Sequence, residues 1–261
     1  MKKIRAKGFI SIFLILIVGF GFKFAYSQNE EIIYKRFKDN VVFYPQHQDD
    51  EVLWGGTAIV DAINECGADN VYVVLVSDGS GVNVFKRNPK FKGISREKKK
   101  ELRNNEFKAC LSKLGVKPNN IIILADKAKV PGTHYDLMEQ TILSFEKNLK
   151  SVTHIAHHYK YDDHIMHRKN GQVLKRLKGE HKVEDARYFI KPTYVKYINE
   201  DKQDIYLAQS EKERAKVKSA LDEYKVVDEK HQKYGIGYTS AHSYFEHLYN
   251  DPKYTSILSI E

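Results

Sequence analysis

From residue 41 onward, short apolar runs alternate with longer stretches of helical, amphipathic spacing. Residues 41–44 (Val-Val-Phe-Tyr) predict a first strand, followed by a polar turn and a helix near 56–66. Residues 71–76 are apolar almost without interruption, the pattern of a strand buried on both faces of a parallel sheet. Residues 77–94 then read as a long loop containing Asp78-Gly79 and Asn88-Pro89, after which Ser95 is placed to cap a helix that runs to about Leu114 and stops at Gly115. A third strand is expected at 121–124, a helix at 134–149, a fourth strand at 152–156 and a helix at 165–178. Further strands are expected at 193–198 and 205–207, with a helix at 211–223. The tail from Lys230, rich in aromatics and histidine, gives no periodicity that places it. Strands that alternate with helices predict a layered α/β domain, and no repeat or Ser/Gly linker divides residues 28–261.

The first 27 residues stand apart. They hold Lys2, Lys3, Arg5, Lys7 and Lys23, no acid, and an uncharged run of 15 residues at 8–22. That length suits a secretory signal core of about 7–15 residues and is short of the roughly 17–25 of a spanning helix. Ala25 and Ser27 offer small residues for cleavage after Ser27. Extension through Lys23 to Tyr26, with the lysine snorkelling, gives instead a retained anchor over residues 8–26. Both readings export the domain, either secreted or held on the outer face of the cytoplasmic membrane; a buried helix of the domain is the third. The segment also changes the meaning of the charge. The 261 residues carry 43 Lys and Arg against 34 Asp and Glu, but outside this segment the excess falls to +4. With no recognition motif among the basic stretches, a nucleic-acid partner is not expected. The two cysteines, Cys66 and Cys110, fall in expected helices with apolar neighbours and read as buried thiols in preference to a disulfide.

Two clusters carry chemistry. His47-Gln48-Asp49-Asp50-Glu51 directly follows the first expected strand, where α/β proteins build their sites. Three adjacent carboxylates repel one another, and a divalent cation reverses that balance. His47 and Asp50 are suitable zinc ligands, which leaves Asp49 to take a proton from water; the plainer reading is a solvated acidic turn capping a helix. His154, His157, His158, His164 and His167 gather around the end of the fourth expected strand, with Asp162 and Asp163 among them. The spacing of three lets His164 and His167 face one metal, although one of them suffices as a ligand. His154 reads as a strand-packing residue, His157 and His158 as loop or supporting groups.

In order and combination these marks resemble the PIG-L/LmbE-like family of zinc-dependent N-acetylglucosaminyl deacetylases. His47-Gln48-Asp49-Asp50-Glu51 is similar to its His-Pro-Asp-Asp-Glu motif, Asp78-Gly79 with Arg103-Asn104-Asn105-Glu106 to its Asp-Gly loop and Arg-x-x-Glu helix, and His164-Ile165-Met166-His167 to its His-x-Asp-His motif. The resemblance spans about residues 41–171. It implies a Rossmann-like three-layer α/β/α sandwich with a mostly parallel sheet, and removal of an N-acetyl group from a glucosamine-containing glycan or small conjugate. His47, Asp50 and His167 would bind Zn2+ or a related divalent transition metal, Asp49 would be the general base and His164 would polarise the carbonyl or stabilise the oxyanion. Asp78, Arg103, Glu106, His157 and His158 would contact substrate or support the ligands. Taken alone, Arg103 and Glu106 also fit a surface i,i+3 ion pair. Gln48 stands where the family has proline, a change expected to loosen the turn, and Met166 where it has an acid. The latter keeps open a glycan-binding protein with a structural or vestigial metal site, and a non-sugar amide is the other alternative substrate.

Overall fold

The computed structural model describes residues 35–260; the expected signal or anchor lies outside them. Among the described residues no helix is long and apolar enough to cross a membrane. The chain runs β1 (Asn40–Phe43), α1 (Asp50–Cys66), β2 (Val71–Leu75), α2 (Val84–Arg87), α3 (Arg96–Leu114), β3 (Ile121–Ile123), α4 (Leu124–Ala128), α5 (Tyr135–Leu149), β4 (Val152–His157), α6 (Ile165–Gly179) and β5 (Asp185–Phe189). It continues through β6 (Gln203–Tyr206), α7 (Glu211–Lys225), the small hairpin β7 (Val227–Asp228) and β8 (Lys233–Tyr234), α8 (Ile236–Ser240), α9 (His242–Tyr249) and β9 (Ser256–Ile260).

The main sheet has the order β3-β2-β1-β4-β5-β9-β6. β1 to β5 pair in parallel and β9 is antiparallel to both β5 and β6. Successive strand residues face opposite layers, as the pleat requires. Val41, Phe43, Val73 and Leu75 enter the core with α1, α3 and α7, while Val42, Tyr44, Val74 and Val76 enter the core with α5 and α6. The result is the expected three-layer α/β/α sandwich. The chain leaves β1 toward β2 and β3, then returns to lay β4 on the other side of β1, so the crevice above the carboxyl ends of β1 and β4 is the switch point where such sheets bind ligands.

Several expected elements need correction. The stretch 193–198 is not a strand but a 3-10 helix, Pro192–Tyr197, opened by a proline whose fixed φ suits the first turn. The strand expected at 205–207 lies at Gln203–Tyr206. Helix α1 begins at Asp50, six residues before the expected start, because the acidic turn is itself helical. The loop 77–94 contains α2 and a 3-10 turn closed over a minor core of Phe85, Phe91, Leu102 and Ile236. Both cysteines are free.

Helix α6 packs on the end of β4 at Gly171, where an added Cβ would lie 2.1 Å from the His157 carbonyl oxygen and 2.6 Å from the Tyr159 nitrogen. Gly179 of the same helix has nothing within 4 Å of such a Cβ. Gly171→Ala is therefore expected to destabilise by about 1–3 kcal/mol or more through overpacking, while Gly179→Ala leaves stability unchanged or raises it by up to about 1 kcal/mol. Urea denaturation of the two variants checks the contrast.

Candidate metal centre

The loop after β1 and the loop after β4 meet at one carboxylate oxygen. Asp50 Oδ2 accepts the His47 backbone N–H at 2.7 Å. It also lies 3.3 Å from each of His47 Nδ1, His167 Nε2 and His157 Nε2. The other oxygen, Oδ1, accepts the Trp54 indole N–H at 3.1 Å, one helical turn along α1. His47 Nδ1 and His167 Nε2 are 3.1 Å apart. Zinc holds nitrogen and oxygen donors at about 2.0–2.2 Å, so a tetrahedral set has edges of about 3.3–3.6 Å. The triangle formed by His47, Asp50 and His167 has sides of 3.3, 3.3 and 3.1 Å and fits that set. Such an arrangement of donors suits a divalent transition metal. His164 also falls within such a group, its donor atom within 4.8 Å of those of His47 and His167.

The His167 ring is held in the orientation a metal needs. His167 Nδ1 faces Asp162 Oδ2 at 3.0 Å, which turns Nε2 toward Asp50 and His47. Asp162 is itself fixed by the His164 backbone N–H at 2.7 Å and by Lys191 Nζ at 3.0 Å. Burial opposes a charge on His167, but Asp50 and Asp162 outweigh it and raise the ring to about 9. Burial also works against Asp50, yet His167 and His157 hold it well below the usual carboxylate range. A proton on His167 and a divalent cation are thus alternative ways to balance the same carboxylates. His157 supports the centre from below: its ring stacks on His167 with centroids 3.9 Å apart, and its Nε2 accepts the Gln46 N–H at 3.2 Å. Burial drives its ring down to about 4.

Asp49 sits in a strained conformation, φ 121° and ψ −31°, which turns its carboxylate away from Asp50 and toward α3. There Oδ2 meets Arg103 Nη2 at 3.1 Å and Ser240 Oγ at 3.4 Å. Burial raises the carboxyl to about 8, with Arg103 opposing and Asp50 and Glu51 reinforcing. His164 Nδ1 accepts the Met166 backbone N–H at 3.2 Å, so in the neutral ring the proton resides on Nε2. Burial, then the neighbouring His167 and His47, bring this ring down to about 4.

The remaining sequence candidates divide. Arg103 and Glu106 are not a surface ion pair: both are buried, with Arg103 also donating to the Gln48 carbonyl, and Glu106 accepting the backbone N–H groups of Tyr234, Ile236 and Gly237. Gln48 does not loosen the turn. Its Nε2 donates to the Asp78 carbonyl at 3.1 Å and to Asn104 Oδ1 at 2.8 Å, and it packs so closely on Gly79 (φ 62°) that a Cβ there would lie 1.9 Å from Oε1. Asp78 lines the site, held by Ser80 and Arg96. His158 is elsewhere: Nδ1 accepts the N–H groups of Lys160 and Tyr161, which closes the turn after β4. His154 bonds the Tyr44 hydroxyl at 2.9 Å within the core.

Two adjoining compartments open on the centre, and both are lined by His47, Val82, His164 and Ser240. The larger, about 900 Å3, extends along Asp78, Arg87 and Arg96; the smaller, about 270 Å3, includes Trp54, Lys191 and Tyr244. Sequence reasoning gave no role to Asp162, Lys191, Trp54 or Ser240. The i,i+4 spacing of Asp50 and Trp54 was the available signal for the indole. Ser240 and Tyr244 come from the tail, where no periodicity could place them.

No protein-family model and no curated protein matches the chain. Solved structures share its fold. An N,N'-diacetylchitobiose deacetylase from Pyrococcus horikoshii aligns at 13% identity over 86% of this chain and 84% of its own, with a TM-score of 0.57. A pseudoaglycone deacetylase aligns at 16% identity over 85% and 96%, with a TM-score of 0.55. A 4-carboxy-2-hydroxymuconate hydratase from Pseudomonas putida aligns at 13% identity over 85% and 95%, with a TM-score of 0.54.

Asp162 orients the His167 ring from behind, outside the triangle of donors. Asp162→Asn is expected to weaken zinc binding by about 10–100-fold, as loss of a carboxylate behind a ligating histidine does. Competition with a chromophoric chelator measures it; an unchanged affinity would remove Asp162 from this role.

Proposed function

We propose that the chain is a metal-dependent amidohydrolase of the PIG-L/LmbE-like kind that removes an N-acetyl group from a glucosamine-containing carbohydrate or conjugate. The observation that carries this reading is the placement of Asp49. It is a buried carboxylate at the cavity wall, adjacent to the donor set yet committed to Arg103 and Ser240 and left out of the metal triangle. The ordered motifs and the fold shared with two deacetylases support it.

His47, Asp50 and His167 would hold the cation. When bound, it supplies Lewis acidity and a water made acidic near neutral pH. Asp49 acts in its ionised form, taking the proton as the water oxygen adds to the acetyl carbon, and Arg103 fixes the direction from which it does so. His164 donates its Nε2 proton as a hydrogen bond to the carbonyl oxygen, which gains negative charge as the carbon becomes tetrahedral. Asp49 then passes its proton to the amide nitrogen as the C–N bond breaks, giving a free amine and acetate. Met166 leaves His164 with a backbone N–H on Nδ1 in place of a carboxylate, so the ring acts as a neutral donor. Export, by cleavage after Ser27 or through an anchor at 8–26, would bring the domain to envelope or extracellular N-acetylated glycans.

The hydratase that shares the fold favours a second reading, in which the same base delivers water to a conjugated carbon. Acetate release separates the two. Zinc-loaded protein is expected to liberate acetate from N-acetylglucosamine compounds in preference to N-acyl amino acids; release from neither class would overturn the deacetylase reading. Asp49→Asn is expected to retain zinc and lose about 10²–10⁴-fold in kcat, measured alongside metal content.

A further inference from the structure

The wall of the larger compartment is a continuous basic segment. Residues 79–96 contain Lys86, Arg87, Lys90, Lys92 and Arg96 and no Asp or Glu. The segment is a built wall: Phe85 and Phe91 anchor it against Leu102 and Ile236. Two of its cations line the compartment, Arg87 and Arg96, in company with Asn83 and Asn88.

The site itself neutralises only part of the charge there, with one carboxylate against two guanidinium groups. Asp78 is the one carboxylate lining the compartment, and it is already engaged: Oδ1 accepts from Ser80, and Oδ2 lies 2.9 Å from Arg96 Nε. Because Arg96 uses Nε for Asp78 and for Ser80 Oγ, its guanidinium is held from one edge and its two terminal nitrogens remain available. Arg87 is exposed and makes no side-chain hydrogen bond or ion pair among the described residues. A fixed fork and a free fork in one polar cleft form a receptor for a phosphate or carboxylate, the groups that planar guanidinium recognises in pairs of hydrogen bonds. The volume of about 900 Å3 exceeds what one acetamido sugar fills and leaves room for a substituent beyond it.

We propose that the substrate is an anionic N-acetylated aminosugar conjugate whose phosphate or carboxylate lies in the larger compartment and is bound by Arg87 and Arg96. The acetyl group to be removed rests on the deacetylase reading above; the anion site does not.

The test uses zinc-loaded full-length protein and three probes: methyl N-acetylglucosaminide, N-acetylglucosamine 1-phosphate and N-acetylmuramic acid, with affinity measured by titration calorimetry and kcat/KM by acetate release. At least one anionic sugar is expected to bind about tenfold more tightly than the neutral one, the scale of a charge-assisted hydrogen bond, and the two anions tell phosphate from carboxylate. Arg87→Gln, which disturbs no internal contact, is expected to remove much of that advantage while affinity for the neutral sugar is unchanged, and Arg87→Gln with Arg96→Gln is expected to remove the rest. Equal affinity for all three sugars, or an advantage that survives in the double variant, would overturn the proposal. Arginine-dependent anion preference without acetate release would uphold the anion site and overturn the deacetylase reading.

Discussion

The structure depends on keeping three consecutive carboxylates out of water at the start of one helix. Asp49, Asp50 and Glu51 are all buried, and an ion withdrawn from water without partners costs several kcal/mol even after relaxation. The positive end of α1 offsets part of that cost. The rest is met in three different ways. Asp50 takes an indole, a backbone N–H and three imidazoles, Asp49 takes a guanidinium and a hydroxyl, and Glu51 takes the Tyr224 hydroxyl at 2.6 Å and the Asp49 N–H at 3.0 Å. Burial leaves Glu51 raised to about 7 despite the Tyr224 bond, so it sits near the boundary between acid and anion while Asp50 stays ionised. Adjacent residues of one chemical type thereby acquire different work.

Those partners explain why distant segments converge on this turn. Arg103 and Gln48 tie it to α3, Glu106 on the same helix gathers the backbone at the start of α8, and α8 in turn delivers Ser240 to Asp49. From the other side, Lys191 beyond β5 holds Asp162 and Asp163, and Tyr244 of α9 reaches Asp163 at 3.2 Å. The three donors come from the turn after β1 and the first turns of α1 and α6, but their surroundings are set by α3, the β5 exit and the tail. The hydratase with the same fold shows that this frame does not dictate one reaction, so the chemistry has to be argued from the side chains.

Much of this was legible in the chain. Ser95 and Gly115 bracket α3 at both ends as their capping chemistry predicts, and His47, Asp50 and His167, separated by up to 120 positions, meet where their strand-end locations place them. What was hidden has physical causes. β5 reads Asp-Ala-Arg-Tyr-Phe, and its Asp185 and Arg187 look like loop residues until Arg187 is paired with Asp204 of β6 at 2.8 Å. β9 is short, with serines at two positions, and becomes a strand by inserting between β5 and β6. Asp162 had no helical or strand spacing to His167, since the chain turns between them. Gln48 looked like a weakened proline because its value lies in hydrogen bonds to residues 78 and 104, which no local pattern displays.

The central claim is that His47, Asp50 and His167 form one divalent-metal site. X-ray absorption at the zinc edge, on protein reconstituted with one equivalent of zinc, tests it most directly. The account predicts stoichiometric binding and a shell of nitrogen and oxygen donors at about 2.0–2.2 Å that includes two imidazoles, with one imidazole lost in His167→Ala. A shell without imidazole, or one that His167→Ala leaves unchanged, would contradict it.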